Sequence, residues 1–196
     1  MIDLKYAPGA TPIDGDELHG LIHNISFQHE LNQFERENIR TAYRWAERSR
    51  KLKNELLSID GIKLLHKRMF GDVWQWAGTF RLTEKNIGKV APYQVQEEVH
   101  KLCADTSFHI EQGVSDWSML AVAFHHRLVS IHPFPNGNGR HARLCTDLLL
   151  RFNKQKILSW GKSDLVDETE IRAQYIYALR AADSGDLSKL LAFAAK

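Results

Sequence analysis

Apolar positions recur at three- and four-residue intervals over most of this chain, a rhythm that predicts helices, and one stretch breaks it. From about His29 to Arg50, Leu31, Phe34, Ala42, Trp45 and Ala46 keep helical spacing, with Glu35, Arg36, Glu47 and Arg48 between them. A long amphipathic helix is expected there. Asp60 is placed to cap a second helix, with Ile62, Leu65 and Met69 on one face and Gly71 at its end. His66 falls on that face or its edge, as a packed or surface histidine. Pro92, suited to a first helical turn, precedes Val95, Val99, Leu102 and Ile110, and Gly113 ends this third helix. Ser115 or Asp116 opens a fourth that is apolar nearly all round through Met119, Leu120, Val122, Phe124, Leu128 and Val129, which predicts a central buried helix.

A fifth helix carries Leu144, Leu148, Leu149 and Phe152 and fades at Asn153. Asp167, with Glu170 three residues on, has the capping-box pattern for a helix through Ile171, Tyr175, Ala178 and Leu179 to about Asp183. Asp186 caps a last short helix through Leu190, Leu191 and Phe193. Residues 1–28 are punctuated by Pro8, Gly9, Pro12, Gly15 and Gly20, which predicts an irregular arm with one turn of helix around Glu17–Ile22. The exception to the helical rhythm is Trp74–Val90, where aromatics, Gly78, Thr79 and Gly88 predict a hairpin or flap. The class is therefore all-α with a small β-hairpin.

Composition narrows the function. A chain of 196 residues with 43% hydrophobic residues can bury a proper core, and one domain over 1–196 is the economical reading. A formal net charge of +2 supplies no polybasic field, which disfavours nucleic acid as a partner. Cys103 and Cys145 sit in apolar-periodic stretches and are expected as reduced core residues, not a disulfide framework. No segment has the length of a membrane span or a secretory leader, so a cytoplasmic location is expected.

Chemistry concentrates between Ile131 and Arg143. His132 precedes Pro133, a position pushed out of the right-handed helical region, so the fourth helix should stop there. Gly137, Asn138 and Gly139 present backbone N–H groups where the fifth helix begins, an arrangement that cradles anions such as phosphate. Arg140 and Arg143 both project near that first turn, and their forked guanidiniums suit phosphate oxygens. The alternative for one of them is a structural ion pair with an acid such as Asp147. His132, whose ordinary pKa lies near working pH, is the candidate general base. His125 and His126 are expected to support the loop through packing or polar contacts. The four histidines His125, His126, His132 and His141 lack the spacing of a zinc site.

His132, Phe134, Gly137, Asn138, Gly139, Arg140 and Arg143 match the signature of the Fic (Fic/DOC) family, His-x-Phe-x-acid-Gly-Asn-Gly-Arg-x-x-Arg, and Asn136 stands where that family has Asp or Glu. Leu65–Phe70 and Trp76–Arg81 upstream, and Ala178–Leu179 to Gly185–Asp186 downstream, extend the likeness, which is most similar to the branch called mobile mystery protein B. The resemblance implies the Fic fold, a helical bundle around a helix-loop-helix active site, with residues 60–196 as its core and 1–50 as an N-terminal arm. It implies AMP transfer from ATP to a Ser, Thr or Tyr hydroxyl of a target protein, with His132 as base, Arg140 on phosphate and Phe134 as the loop's anchor. By the same likeness Mg²⁺ would sit at position 136, where an amide is a poorer ligand than a carboxylate.

The resemblance further implies that the target docks along the flap Arg81–Val90 and that Tyr175 or Tyr177 faces the nucleotide. Many Fic proteins also carry an inhibitory helix whose glutamate pairs with the second motif arginine. Ser26 and Glu30 match it in part, and Glu37 with Asn38 is a second partial match. A different class stays open because of Asn136: a nucleotide- or partner-binding module with little catalysis, or a toxin component held by a separate inhibitor protein.

Overall fold

A computed structural model describes residues 12–85, 88–162 and 170–196. The helices in chain order are α1 (Gly15–Leu18), α2 (Gln28–Arg48), α3 (Arg50–Glu55), α4 (Ile59–Phe70), α5 (Val95–Gln112), α6 (Trp117–Ile131), α7 (Asn138–Phe152), α8 (Glu170–Asp183) and α9 (Ser188–Ala194). Short 3₁₀ turns lie at Pro92–Gln94 and Trp160–Lys162. Among the described residues no helix is long and apolar enough to cross a membrane.

Local chemistry sets most of the boundaries. The helix expected to run to Arg50 stops at Arg48, because Ser49 leaves helical geometry and its hydroxyl accepts the Leu52 N–H (3.1 Å) to start α3. Ser58 caps α4 by accepting from Gly61 N (3.0 Å), which moves Asp60 from the cap into the first turn. Asp116 caps α6 through Met119 N (2.9 Å), and Gly113 leaves α5 with φ 91°. Asp186 Oδ1 accepts from Ser188 N (3.0 Å) at the start of α9. The predicted cap at Asp167 lies outside the described residues.

The larger core joins α2, α4, α5, α6 and α7 through Leu31, Ile62, Met69, Val99, Phe124, Leu128 and Leu148, and both cysteines are buried in it. A second cluster packs Val122 of α6 against Trp160, Tyr175 of α8 and Leu190 and Phe193 of α9. The most deeply embedded helix is α7, not α6. Nine of its residues are buried, from Asn138 to Leu150, whereas α6 leaves Met119 exposed.

The expected small β-hairpin is not shown among the described residues. Among the described residues the β-type contact is one antiparallel bridge, Leu21 with Trp74, and residues between Trp74 and Val90 form turns and irregular chain without a strand ladder. The physical reason is Arg81. Its guanidinium inserts between the two arms of the flap and donates to Thr83 O (2.9 Å) and to Val90 O. A buried side chain thus takes carbonyls that cross-strand N–H groups would otherwise occupy.

Candidate active site

α6 ends at His132, which adopts the left-handed conformation (φ 52°, ψ 60°) while its N–H returns to Leu128 O. Such backbone is strained for a side chain larger than glycine. Arg81 holds it in place: Nε donates to His132 O (2.7 Å), and the Arg81 N–H donates to Pro133 O (2.9 Å). A cation here also complements the negative end of the α6 dipole.

The loop then doubles back on its own polar groups. Phe134 N donates to Asn138 Oδ1 (2.9 Å), and Asn138 Nδ2 donates to Phe134 O (2.8 Å). Gly137 has φ 79°, and a Cβ there would meet the Phe70 ring at 2.6 Å, so only glycine makes this turn into α7. The Phe134 ring is buried, stacked on His66 at 3.7 Å between centroids and edge-on to His141 at 5.1 Å. His66 Nδ1 accepts the Gly78 N–H (3.0 Å), so its proton lies on Nε2 and is donated to Asn136 O (3.1 Å). His66 is therefore a packed histidine that pins the loop to the Trp76–Gly78 turn. Burial, followed by the neighbouring His141, pushes its pKa well below the ordinary range.

His132 is itself buried, and burial together with the Arg81 charge lowers its pKa to about 4. It is neutral at pH 7 and able to take a proton. The loop leads into the first turn of α7, whose N–H groups a helix does not satisfy internally. The Arg140 guanidinium lies 4.9 Å over the Phe70 ring, and its Nη1 donates to Glu35 Oε2 at 2.6 Å. The other oxygen of that carboxylate accepts from Trp74 Nε1 (2.8 Å). Arg143 lies 5.8 Å over the Tyr175 ring. Burial lifts the Asp147 carboxyl to about 6, opposed by its bond from Trp160 Nε1 and by the Arg143 charge. Tyr175 is buried with its hydroxyl 2.9 Å from His125 Nε2, whereas Tyr177 is 61% exposed beside Lys189. Tyr175 is the inward-facing tyrosine, and His125 supports it.

The structure gathers His132, Asn136, Gly137, Asn138, Gly139 and Arg140 on one loop and helix start, with three adjustments. The Asn138 side chain is committed to bracing Phe134, which leaves its backbone N–H for an anion. Glu30 does not take the inhibitory place: Oε2 caps α2 by accepting from Ser26 N and Phe27 N, both at 3.1 Å. An acid that reaches a motif arginine is Glu35, whose carboxylate pairs with Arg140. Asn136 Oδ1 accepts from Gly137 N (2.7 Å) and lies 3.5 Å from Arg140 Nη2, so its oxygen faces donors and a cation. Among the described residues no three His, Cys, Asp or Glu side chains converge to hold a metal. These residues do not fit a protein-built Mg²⁺ site.

Sequence reasoning missed Glu35 and Arg81. Glu35 carried a readable signal, since it lies on the apolar face of α2 with Leu31, Asn38 and Ala42, where an acid needs a buried partner. Arg81 carried none, because its partners are carbonyls of three separate segments.

The Fic/DOC family profile matches residues 56–150, from the end of α3 to the last turn of α7 and including the whole loop. The chain belongs to the Fic/DOC family. It is 32% identical over 144 residues to "Protein adenylyltransferase fic-1" of Caenorhabditis briggsae, an alignment covering 71% of this chain and 27% of that protein. The chain thus spans about a quarter of the length of that relative. The "Probable protein adenylyltransferase y4lH" of Sinorhizobium fredii is 27% identical over 177 residues, covering 86% of this chain and 85% of the other. Among solved structures, Fic-1 (residues 134–508) from C. elegans superposes with a TM-score of 0.69 at 28% identity, over 91% of this chain and 51% of that one. The helical fold of this chain is thus shared with that structure.

Proposed function

We propose that this Fic protein is a protein adenylyltransferase, moving AMP from ATP to a Ser, Thr or Tyr hydroxyl. The observation that carries the reading is a neutral, buried His132, held by Arg81, on the loop that leads into a helix start with N–H groups and arginine charge. In the reaction the acceptor oxygen attacks the α-phosphorus, and the bond from that phosphorus to the β-bridging oxygen breaks. Diphosphate leaves with the electron pair, and the hydroxyl proton passes to His132. The α7 N-terminus and Arg143 hold phosphate oxygens, while Glu35 acts as a positioning residue that fixes the Arg140 guanidinium over Phe70. The names of the relatives agree with this chemistry.

The flap is the proposed docking edge for the target. Lys89 N donates to Ser130 O (3.1 Å), and a Cβ at Gly88 would lie 2.9 Å from His132 Cβ, so flap backbone runs beside the base. Leu82, 86% exposed, offers an apolar contact there. Lys85 tethers the flap to α1 through Asp14 (2.7 Å) and Glu17 (2.6 Å).

Asn136 favours a second reading, a module that binds nucleotide with little transfer and is regulated by a separate inhibitor protein. Transfer of label from α-labelled ATP with Mg²⁺, to the protein itself and to lysate proteins, tests the first reading. Wild type should label, His132→Ala should lose about a hundredfold or more, and Asn136→Asp should gain. ATP binding by calorimetry without any labelling, in wild type and Asn136→Asp alike, would leave the second reading standing.

A further inference from the structure

The outer face of α2 carries a feature that nucleotidyl transfer does not use. Arg36, Arg40, Arg44 and Arg48 follow one another at four-residue intervals, and Arg50, Lys51 and Lys53 continue the run. Residues four apart on a helix are neighbours, so the arginines form a row about 18 Å long. Between 36 and 53 the acids are Glu37 and Glu47, and Glu47 is taken by Arg151. Arg40, Arg44, Arg48 and Arg50 are exposed, and no acid or carbonyl of the protein pairs with their guanidiniums among the described residues.

The row borders a groove of about 440 Å³ lined by Arg44, Trp45, Arg48 and Ser49. Trp45 is half-buried in it, and Arg68 of α4 places its guanidinium 4.6 Å over the indole. Like charges at this spacing destabilise a helix, and folding gains nothing visible from them. The chain's net charge of +2 averages this concentration away.

We propose that the outer face of α2 binds a single-stranded nucleic acid, its phosphates along Arg40, Arg44 and Arg48 and one base in the Trp45 groove. Guanidinium forks match phosphate oxygens bidentately. Interleaved arginines and an aromatic plane are the surface on which unpaired bases stack. An acidic peptide would meet the charge but has no flat ring for the groove. A duplex keeps its bases stacked away from it. Because Arg40, Arg44 and Arg48 turn outward while Glu35 and Asn38 turn into the core, this face is separate from the phosphate-binding loop, and the inference does not depend on the proposed transfer activity.

The test is fluorescence anisotropy of a labelled dT12 oligonucleotide with the full chain, in excess ATP to fill the loop, over a series of salt concentrations. The expected slope of log affinity against log salt is about −2 to −3. Arg40→Gln/Arg44→Gln/Arg48→Gln should weaken binding more than about tenfold and flatten the slope by about 2, with label transfer unchanged, whereas Lys101→Gln on α5 should change neither. Unlabelled dT12 should quench tryptophan fluorescence in wild type and much less in Trp45→Phe. The proposal is overturned by absence of binding at low salt, by equal binding of the triple variant, by equal quenching in Trp45→Phe, or by polyglutamate or duplex DNA binding as tightly as dT12.

Discussion

The two faces of α2 use the same kinds of residue to opposite ends. On the inner face every polar side chain is answered: Glu35 by Trp74 and Arg140, and Asn38 by Arg68 O (3.1 Å), Asp72 Oδ2 (3.0 Å) and Asp72 N (3.1 Å). On the outer face Arg36 Nε donates to Asn32 O (3.2 Å), while Arg40, Arg44 and Arg48 are exposed and meet no acid or carbonyl among the described residues. A buried polar group that lacks a partner forfeits its hydration, so the inner face is specified by folding. An exposed guanidinium keeps its water and costs the fold little, so its arrangement is free to answer to something outside the chain.

The largest expected effect is at the inner face. Glu35→Ala leaves Arg140 and Trp74 Nε1 without their acceptor and should cost about 3 kcal/mol in denaturant unfolding. It should also weaken ATP binding by calorimetry. Glu35→Gln can still accept from Trp74 and should recover most of the stability but little of the affinity. If both variants bind ATP like wild type, Glu35 does not position Arg140.

Acid should separate the faces next. His125 and His141 have pKa values near 3 and His132 near 4, all lowered chiefly by burial from 6.5. The folded state therefore binds fewer protons than the unfolded one. Stability is present above pH 6.5 and is lost as pH falls toward 4, by about 2 kcal/mol for each histidine at pH 5. Asp147, lifted to about 6, works in the opposite direction as it protonates, with a smaller weight. The melting temperature should fall steeply between pH 6.5 and 5, and by the same amount in the triple arginine variant, since arginines stay charged throughout.

Smaller still, Asn38→Ala should cost about 1–2 kcal/mol through its lost bonds to Asp72 and Arg68 O. Arg44→Gln should lie within about 0.5 kcal/mol of wild type, on the stabilising side if anything, because it removes two like-charge contacts. A loss above 1 kcal/mol there would show that the outer row is structural after all.

Much of the frame was legible in advance because its causes are local. Helical periodicity located α2, α4, α5, α6, α7 and α9 to within a turn, and Asp116, Gly113 and Gly137 acted where their side chains, or lack of one, said they would. The expected hairpin was lost because β-branched and glycine-rich sequence allows an extended flap but cannot announce an arginine filling it. The inhibitory glutamate was sought at Glu30 from the spacing of a motif, and a capping bond four residues back from the carboxylate proved the nearer use for it.

The sequence by itself determined the helical class, the Fic loop with His132 at its start and glycines at the following helix start, and the amide at position 136, since each depends on residue types at short, fixed spacing. Only the tertiary structure decided that Glu35 answers Arg140 across 105 positions, that Arg81 ties the flap to the strained end of α6, and that Tyr175 rather than Tyr177 turns inward. Those contacts depend on which helix faces meet. A linear pattern states that a face exists, but its partner is selected by packing the whole chain at once.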